Sequence, residues 1–333
     1  MKKNSKLFLI SSVVFSLLMF TACTGGVSVA EANKKVTAAF EKTATTRIDS
    51  FAFDLDAGLD LSLKSLEEGV EVDSMGVKGD ISLGLKVNDL WTADLQASLV
   101  VDADLSAKEN GEVVSELDAA AYAYVNEGFF YVDLSEAQSF IEELIGKEIT
   151  MALKGKGEMP GPLAELLEYD PDEVFELPFD QEQLLSYVSE INGVTASIKN
   201  GEIIVTYKVT VEDIANIYIK TLLDSEMLDS EMPDSEMLDS EDVSSIKAEF
   251  LEMLNQVLRI TTAEITIGVG RDGFISKLYL DLDAGITIPV DEDPAMKIDF
   301  KGHVHIDIKN INKTISIAFP ADLDSYPDFN FEG

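Results

Sequence analysis

The chain has 333 residues, with 62 acidic side chains against 25 basic ones and a formal charge of −37. A field of that sign repels nucleic acid and bare anionic headgroups while favouring divalent cations at the surface, so nucleic acid is excluded as a partner. With Cys23 as its single cysteine the chain can form no internal disulfide, and in an oxidising compartment its stability has to come from burial.

The first 22 residues read as a leader. Lys2, Lys3 and Lys6 form a basic start, the 14 residues from Leu7 to Phe20 carry no charge, and Thr21 and Ala22 are small residues ahead of Cys23. Fourteen apolar residues fall short of the ~20 a membrane-spanning helix needs. The segment resembles a lipobox with Phe20 where Leu is usual, which implies lipidation of Cys23 and a lipid-anchored, extracytoplasmic protein at the cell membrane. The alternatives are an ordinary secretory signal cut nearby, or an uncleaved anchor, with Cys23 incidental. Loss of the three leader lysines takes the charge from −37 to −40. Residues 23–30 are small and polar enough for a flexible tether. The remainder, 31–333, shows no Pro- or Gly-rich linker and reads as one domain.

Val29 to Thr45 is predicted as a helix, with Ala32, Val36, Phe40 and Ala44 on one face. Strict alternation follows. Phe51, Phe53, Leu55, Ala57, Leu59, Leu61 and Leu63 alternate with mostly polar neighbours, and Ala93, Leu95, Ala97, Leu99, Val101, Ala103 and Leu105 repeat the scheme. A period of two at that length predicts long strands with one apolar and one wet face. Glycines 58, 76, 79, 84, 285 and 302 are candidate bending points. Asn110-Gly111, Asn200-Gly201 and Asp272-Gly273 suit tight hairpins, so the sheet is expected to be antiparallel and to meander.

Further helices are predicted over Ser135–Ile145 behind a Ser-x-x-Gln capping pattern, over Gln181–Ile191, over Val211–Leu223 and over Val243–Leu258. The last carries Ile246, Phe250, Met253, Leu254 and Val257 at helical spacing. Between the final two lies a Leu-Asp-Ser-Glu-Met repeat, a low-complexity acidic insertion at 224–242 whose period of five suits neither helix nor strand. Its clustered carboxylates are the kind of ligand Ca²⁺ takes, yet no EF-hand spacing accompanies them. Two alternating runs close the chain, Leu278 to Ile288 and Met296 to Ile308.

Catalytic constellations are absent from the sequence: no Gly-x-Ser-x-Gly elbow, no phosphate-binding loop and no dinucleotide fingerprint. No enzyme activity and no cofactor are expected, and an acidic hydrolase would need two close carboxylates in a cleft. The two histidines, His303 and His305, share parity with Asp299, Lys301 and Asp307 on the wet face of a strand. Asp307 is the single nearby carboxylate of matching parity, so they read as solvated side chains and no metal site is expected.

The order of leader, acceptor cysteine, helix with Ala-Phe-Glu-Lys-Thr at 39–43, long amphipathic strands, helical middle and more long strands resembles the LolA/LppX-like bacterial lipoproteins, in their Gram-positive branch. The finish from Asn312 to Pro320, an Asn, a short apolar strand and Pro, is similar to theirs. The resemblance implies an α+β fold in which a long, strongly curved antiparallel sheet, a half-barrel, has helices covering its concave face over an apolar cavity for a lipid or another hydrophobic molecule. By parity, the lining would be Phe51, Phe53, Leu55, Leu95, Leu99, Leu280, Leu282, Ile298 and Phe300, with Phe250 and Leu254 from a covering helix. The alternative is a solidly packed half-barrel that acts as a surface module, meeting another envelope protein through its acidic outer face or repeat loop. Acyl-chain sites need ~300 Å³ or more, whereas ordinary interiors leave few voids larger than a water.

Overall fold

The computed structural model describes residues 27–67, 70–149, 153–159, 191–224, 240–288 and 295–328. Cys23, the expected Gln181–Ile191 helix apart from its last residue, and nearly all of the repeat lie outside them.

Helix α1 spans Val29–Thr45, as its periodicity predicts, and starts at Ser28, whose Oγ accepts a hydrogen bond from Glu31 N at 3.2 Å. Five strands follow: β1 Phe51–Glu67, β2 Val70–Asn88, β3 Gln96–Glu109, β4 Glu112–Asn126 and β5 Phe129–Asp133. After a 3₁₀ turn at Ser135–Ala137 come α2, Gln138–Ile145, and β6, Lys154–Glu158. The chain continues through β7 Gly193–Lys199, β8 Glu202–Lys208, α3 Val211–Asp224, α4 Ser240–Val257, β9 Leu258–Val269, β10 Ile275–Ile288 and β11 Ala295–Lys309.

All eleven strands form one open antiparallel sheet in the order β6-β5-β4-β3-β2-β1-β11-β10-β9-β8-β7. Two meanders therefore meet at its centre, where the first and last strands pair from Ala52 opposite Lys309 to Leu66 opposite Ala295. Tight turns drive each meander. Asn110-Gly111, Glu127-Gly128 and Asn200-Gly201 each place two consecutive residues at positive φ, the geometry of a two-residue hairpin whose twist matches its strands. Asp272-Gly273 closes a longer turn with only Gly273 at positive φ.

Two local expectations are corrected. The strand predicted from Ala93 begins at Gln96, because Thr92 N and Thr92 Oγ1 both donate to Asp89 O and hold 89–95 in a turn. The Ser-x-x-Gln pattern makes no capping box: Ser135 Oγ bonds the Asp133 carboxylate, and Gln138 Nε2 donates to Glu142 Oε1 at 2.7 Å. Pairing register runs unbroken through Gly58, Gly79 and Gly302, and register shifts fall at Ser65/Leu66, Ala107/Lys108, Ile275/Lys277 and Asp283/Ala284, the last beside Gly285.

The main core lies where α1 crosses the end of the sheet that β7–β10 form. Ala32, Val36 and Ala39 are small enough to bring the helix close, and they pack on Val205, Tyr207, Ile267, Val269 and Ile275. Each fully buried aliphatic side chain of this kind contributes ~1.5–3 kcal/mol. Tyr207, buried in this core, donates from its hydroxyl to Asn33 Oδ1 at 2.9 Å. A second cluster forms on the opposite, polar-parity face, where Leu323 and Tyr326 of the C-terminal segment cover Tyr124 and Tyr131. The same segment pairs with edge strand β6 through Lys156 and Asp328. Among the described residues no helix is long and apolar enough to cross a membrane.

Candidate functional site: an apolar cleft and a histidine pair on opposite faces

Antiparallel register carries the alternation from strand to strand, so apolar side chains face apolar side chains across the whole sheet. One row shows what this builds at the centre: Leu282, Gly302, Leu59, Gly79 and Leu105 lie side by side on β10, β11, β1, β2 and β3. The two glycines flanking Leu59 remove side chains from that row. Leu105 leans over Gly79, and the Phe300 ring folds over Gly302, where an added Cβ would meet the ring at 3.1 Å.

The result is an open cleft of about 400 Å³. Its walls are Ala57, Leu59, Val77, Ile81, Leu105, Leu280, Leu282, Phe300 and Val304, contributed by strands from β3 to β10. Leu59 is 38 % exposed, Val77 44 % and Leu280 45 %. A second cleft of about 450 Å³ adjoins it over β2–β4, between Val77, Leu105, Leu117 and Phe140 of α2. His303 apart, every residue that lines the cleft is apolar or glycine, so its surface is almost wholly apolar.

Of the residues expected to line a cavity, Leu280, Leu282 and Phe300 do so. Phe51, Phe53, Leu55, Leu99 and Ile298 share the face by register but stand outside the cleft. Leu95 is buried in the turn ahead of β3. Phe250 stacks on Tyr218 of α3 at 4.4 Å between ring centroids, and neither it nor Leu254 walls the cleft. Among the described residues, α1, α3 and α4 contact strands of the β7–β10 side, and α2 contacts β4. Sequence reasoning missed Val77, Gly79 and Ile81. Their signal was present, since Met75, Val77, Gly79, Ile81, Leu83, Leu85 and Val87 alternate, but the glycines at 76, 79 and 84 obscured it.

The histidines project from the other face, as parity requires, but they are not free in solvent. His303 Nε2 lies 3.3 Å from Asp56 Oδ2 on β1, and His305 Nε2 lies 2.9 Å from Asp281 Oδ1 on β10. Both partners are diagonal neighbours, since the residues opposite His303 are Gly58 and Asp281 and those opposite His305 are Asp56 and Tyr279. Diagonal pairs in a sheet are within reach of long side chains. The rings sit 4.9 Å apart, and the Tyr279 ring lies 4.4 Å from that of His305. Burial, and then the hydrogen bond it donates to Asp307, push the Tyr279 hydroxyl up to about 12. Asp307, the carboxylate that parity assigned to the histidines, is thus engaged by Tyr279 and Lys277.

No family model matches the chain, and no curated protein matches it in sequence. Among solved structures it is similar to a beta-barrel-like protein of Domain of Unknown Function DUF1849 from Brucella abortus, with 10% identity, 79% of this chain and 99% of that one covered, and a TM-score of 0.14. A Pseudomonas aeruginosa FadL homologue shows 9% identity, 78% and 89% coverage and a TM-score of 0.11. Superpositions this loose bear on neither fold nor function.

Proposed function

We propose that the protein is a non-enzymatic, membrane-anchored extracytoplasmic lipoprotein that binds or carries a lipid or other hydrophobic molecule, in the manner of the LolA/LppX-like lipoproteins whose element order it resembles. The observation that supports this is the cleft of about 400 Å³ on the apolar face, walled by aliphatic and aromatic side chains that remain open to solvent. Its size exceeds the ~300 Å³ at which small-molecule sites begin. A contiguous exposed apolar surface is costly to leave bare, and a ligand that covers it relieves that cost. Lipidation of Cys23 would hold the cleft beside the membrane that supplies such a ligand.

Organic extraction of the purified protein followed by lipid mass spectrometry tests the reading, together with uptake of a fluorescent fatty-acid probe. A co-purifying lipid and saturable uptake are expected; a protein that is empty in every preparation and takes up no probe refutes it. Deletion of 224–242 leaves uptake unchanged on this reading, whereas a surface module acting through the repeat loop would lose its partner. Labelled palmitate incorporated by the parent and not by Cys23→Ser tests the anchor.

A further inference from the structure

The histidine pair and Asp56 gather three donors of the kind a metal site uses. One ring nitrogen from each of His303 and His305 and one carboxylate oxygen of Asp56 lie within 4.8 Å of one another, on adjacent strands in continuous register. We propose that Asp56, His303 and His305 bind a divalent transition-metal ion of the Zn²⁺ or Cu²⁺ kind.

Two imidazoles and one carboxylate are the donor set such ions take, at ~2.0–2.2 Å from each ligand atom, with a remaining position for water. Tetrahedral ligands at that length stand ~3.3 Å from each other, and the His303 Nε2 to Asp56 Oδ2 separation is 3.3 Å. Rotation of side chains that are each about one-third exposed at the histidines brings in the third.

The surroundings support the site on independent grounds. Asp281 accepts from or faces His305 Nε2 at 2.9 Å, the position of a carboxylate that orients a ligating imidazole and raises its basicity. The Tyr279 ring packs against His305 from the far side and restricts its rotamers. Gly58, opposite His303, makes room for the ring: an added Cβ there would stand in contact with His303 Cε1 and 2.9 Å from its Nδ1. His303 and Asp281 also stand in the wall of an open cleft of about 360 Å³, together with Asp60, Asp80 and Asp283. The net negative charge of the chain raises the local concentration of cations. Imidazole donors distinguish this site from the rest of the acidic surface, which offers oxygen alone and so suits Ca²⁺ or Mg²⁺.

Calorimetric titration of chelator-treated protein with Zn²⁺ in excess Ca²⁺ tests the proposal, with Cu²⁺ electron paramagnetic resonance on the same protein. One Zn²⁺ equivalent that Ca²⁺ does not displace is expected. It disappears in the double variant His303→Gln, His305→Gln, checked for its fold by circular dichroism, and weakens ~10-fold in Asp281→Asn. The Cu²⁺ spectrum of the unmodified protein shows hyperfine coupling to two nitrogens, a readout that does not depend on any variant folding. Absence of a Ca²⁺-resistant equivalent, equal Zn²⁺ binding by the folded double variant, or a Cu²⁺ spectrum without nitrogen coupling each overturns it.

Discussion

The Asn88 side chain forms both rungs of a ladder with the backbone of Ile315: its Nδ2 donates to Ile315 O at 2.7 Å, and Ile315 N donates to its Oδ1 at 2.8 Å. Asn88 ends β2 and is 3 % exposed, so one buried amide fastens the C-terminal segment to the sheet. Asn312 makes a second fastening, accepting from Asp49 N at 2.8 Å and donating to Arg47 O at 3.0 Å. Asn88→Ala leaves a buried N–H and C=O without partners and is expected to lower stability by ~2–3 kcal/mol. Urea unfolding measures it; a midpoint equal to the parent's would mean that apolar contacts alone hold the segment.

Asp213 is buried and binds the start of α3 in a reciprocal cap: its Oδ2 accepts from Thr210 N at 2.9 Å and Thr210 Oγ1 at 2.7 Å, and Thr210 Oγ1 accepts from Asp213 N. Burial alone would raise the carboxyl, but the hydrogen bonds from Thr210 and Asn192 outweigh it and hold the group below its ordinary value. Because the folded value is the lower one, the unfolded chain takes up the proton first. The stability Asp213 contributes is complete above the unfolded carboxyl value of ~4 and is lost as pH falls through the folded value. Asp213→Asn is expected to lower stability at neutral pH by ~1–3 kcal/mol and to flatten the acid limb of a plot of stability against pH.

Lys154 ties β6 to both β5 and the C-terminal segment, with its Nζ 3.0 Å from Asp133 Oδ2, 3.0 Å from Asp322 Oδ2 and 4.1 Å above the Tyr326 ring. Burial opposes its charge, but the hydrogen bonds to the two carboxylates prevail and raise the ammonium above its ordinary value. A raised value means that its stabilisation is present at neutral pH and fades as pH rises through the folded value, while on the acid side it goes as Asp133, held below its ordinary value, takes up its proton. Lys154→Met is expected to cost ~1 kcal/mol at neutral pH, and faster hydrogen exchange at 154–158 than in the parent would show that edge strand β6 had loosened.

Within the cleft, Leu59→Glu places a charge on the floor between two glycines. Probe uptake is expected to fall at least ~10-fold, since burying an unpaired carboxylate under an apolar ligand costs more than the ~1.4 kcal/mol that factor represents. Stability should change little, because Leu59 is already exposed. Phe250→Ala is the counterpart. It removes the stack on Tyr218 away from the cleft, so it should lower stability by ~1–2 kcal/mol and leave uptake as in the parent. Equal effects of the two variants on uptake would place the ligand elsewhere.

Much of this architecture was legible residue by residue. The alternation of Phe51 to Leu63 and of Met296 to Ile308 assigned every side chain there to a face, and the Asn-Gly pairs located two of the hairpins. The helix over Val29–Thr45 was legible from its apolar stripe of Ala32, Val36, Phe40 and Ala44. The environment of His303 was not. Parity put it on the wet face, but its partner Asp56 lies 247 residues away on a strand whose register no local pattern specifies.

Amino-acid order alone determined which faces of the long strands are apolar and where the two Asn-Gly hairpins turn, because these follow from periods of two and from the φ preferences of a few residues. Tertiary structure alone decided that β1 lies beside β11, that Gly302 and Gly79 flank Leu59 to open a cleft, and that Asp56 and Asp281 meet the histidines. Those facts depend on the pairing register of segments far apart in sequence, which is set by the burial and hydrogen bonding of the assembled sheet and by no property of either strand taken singly.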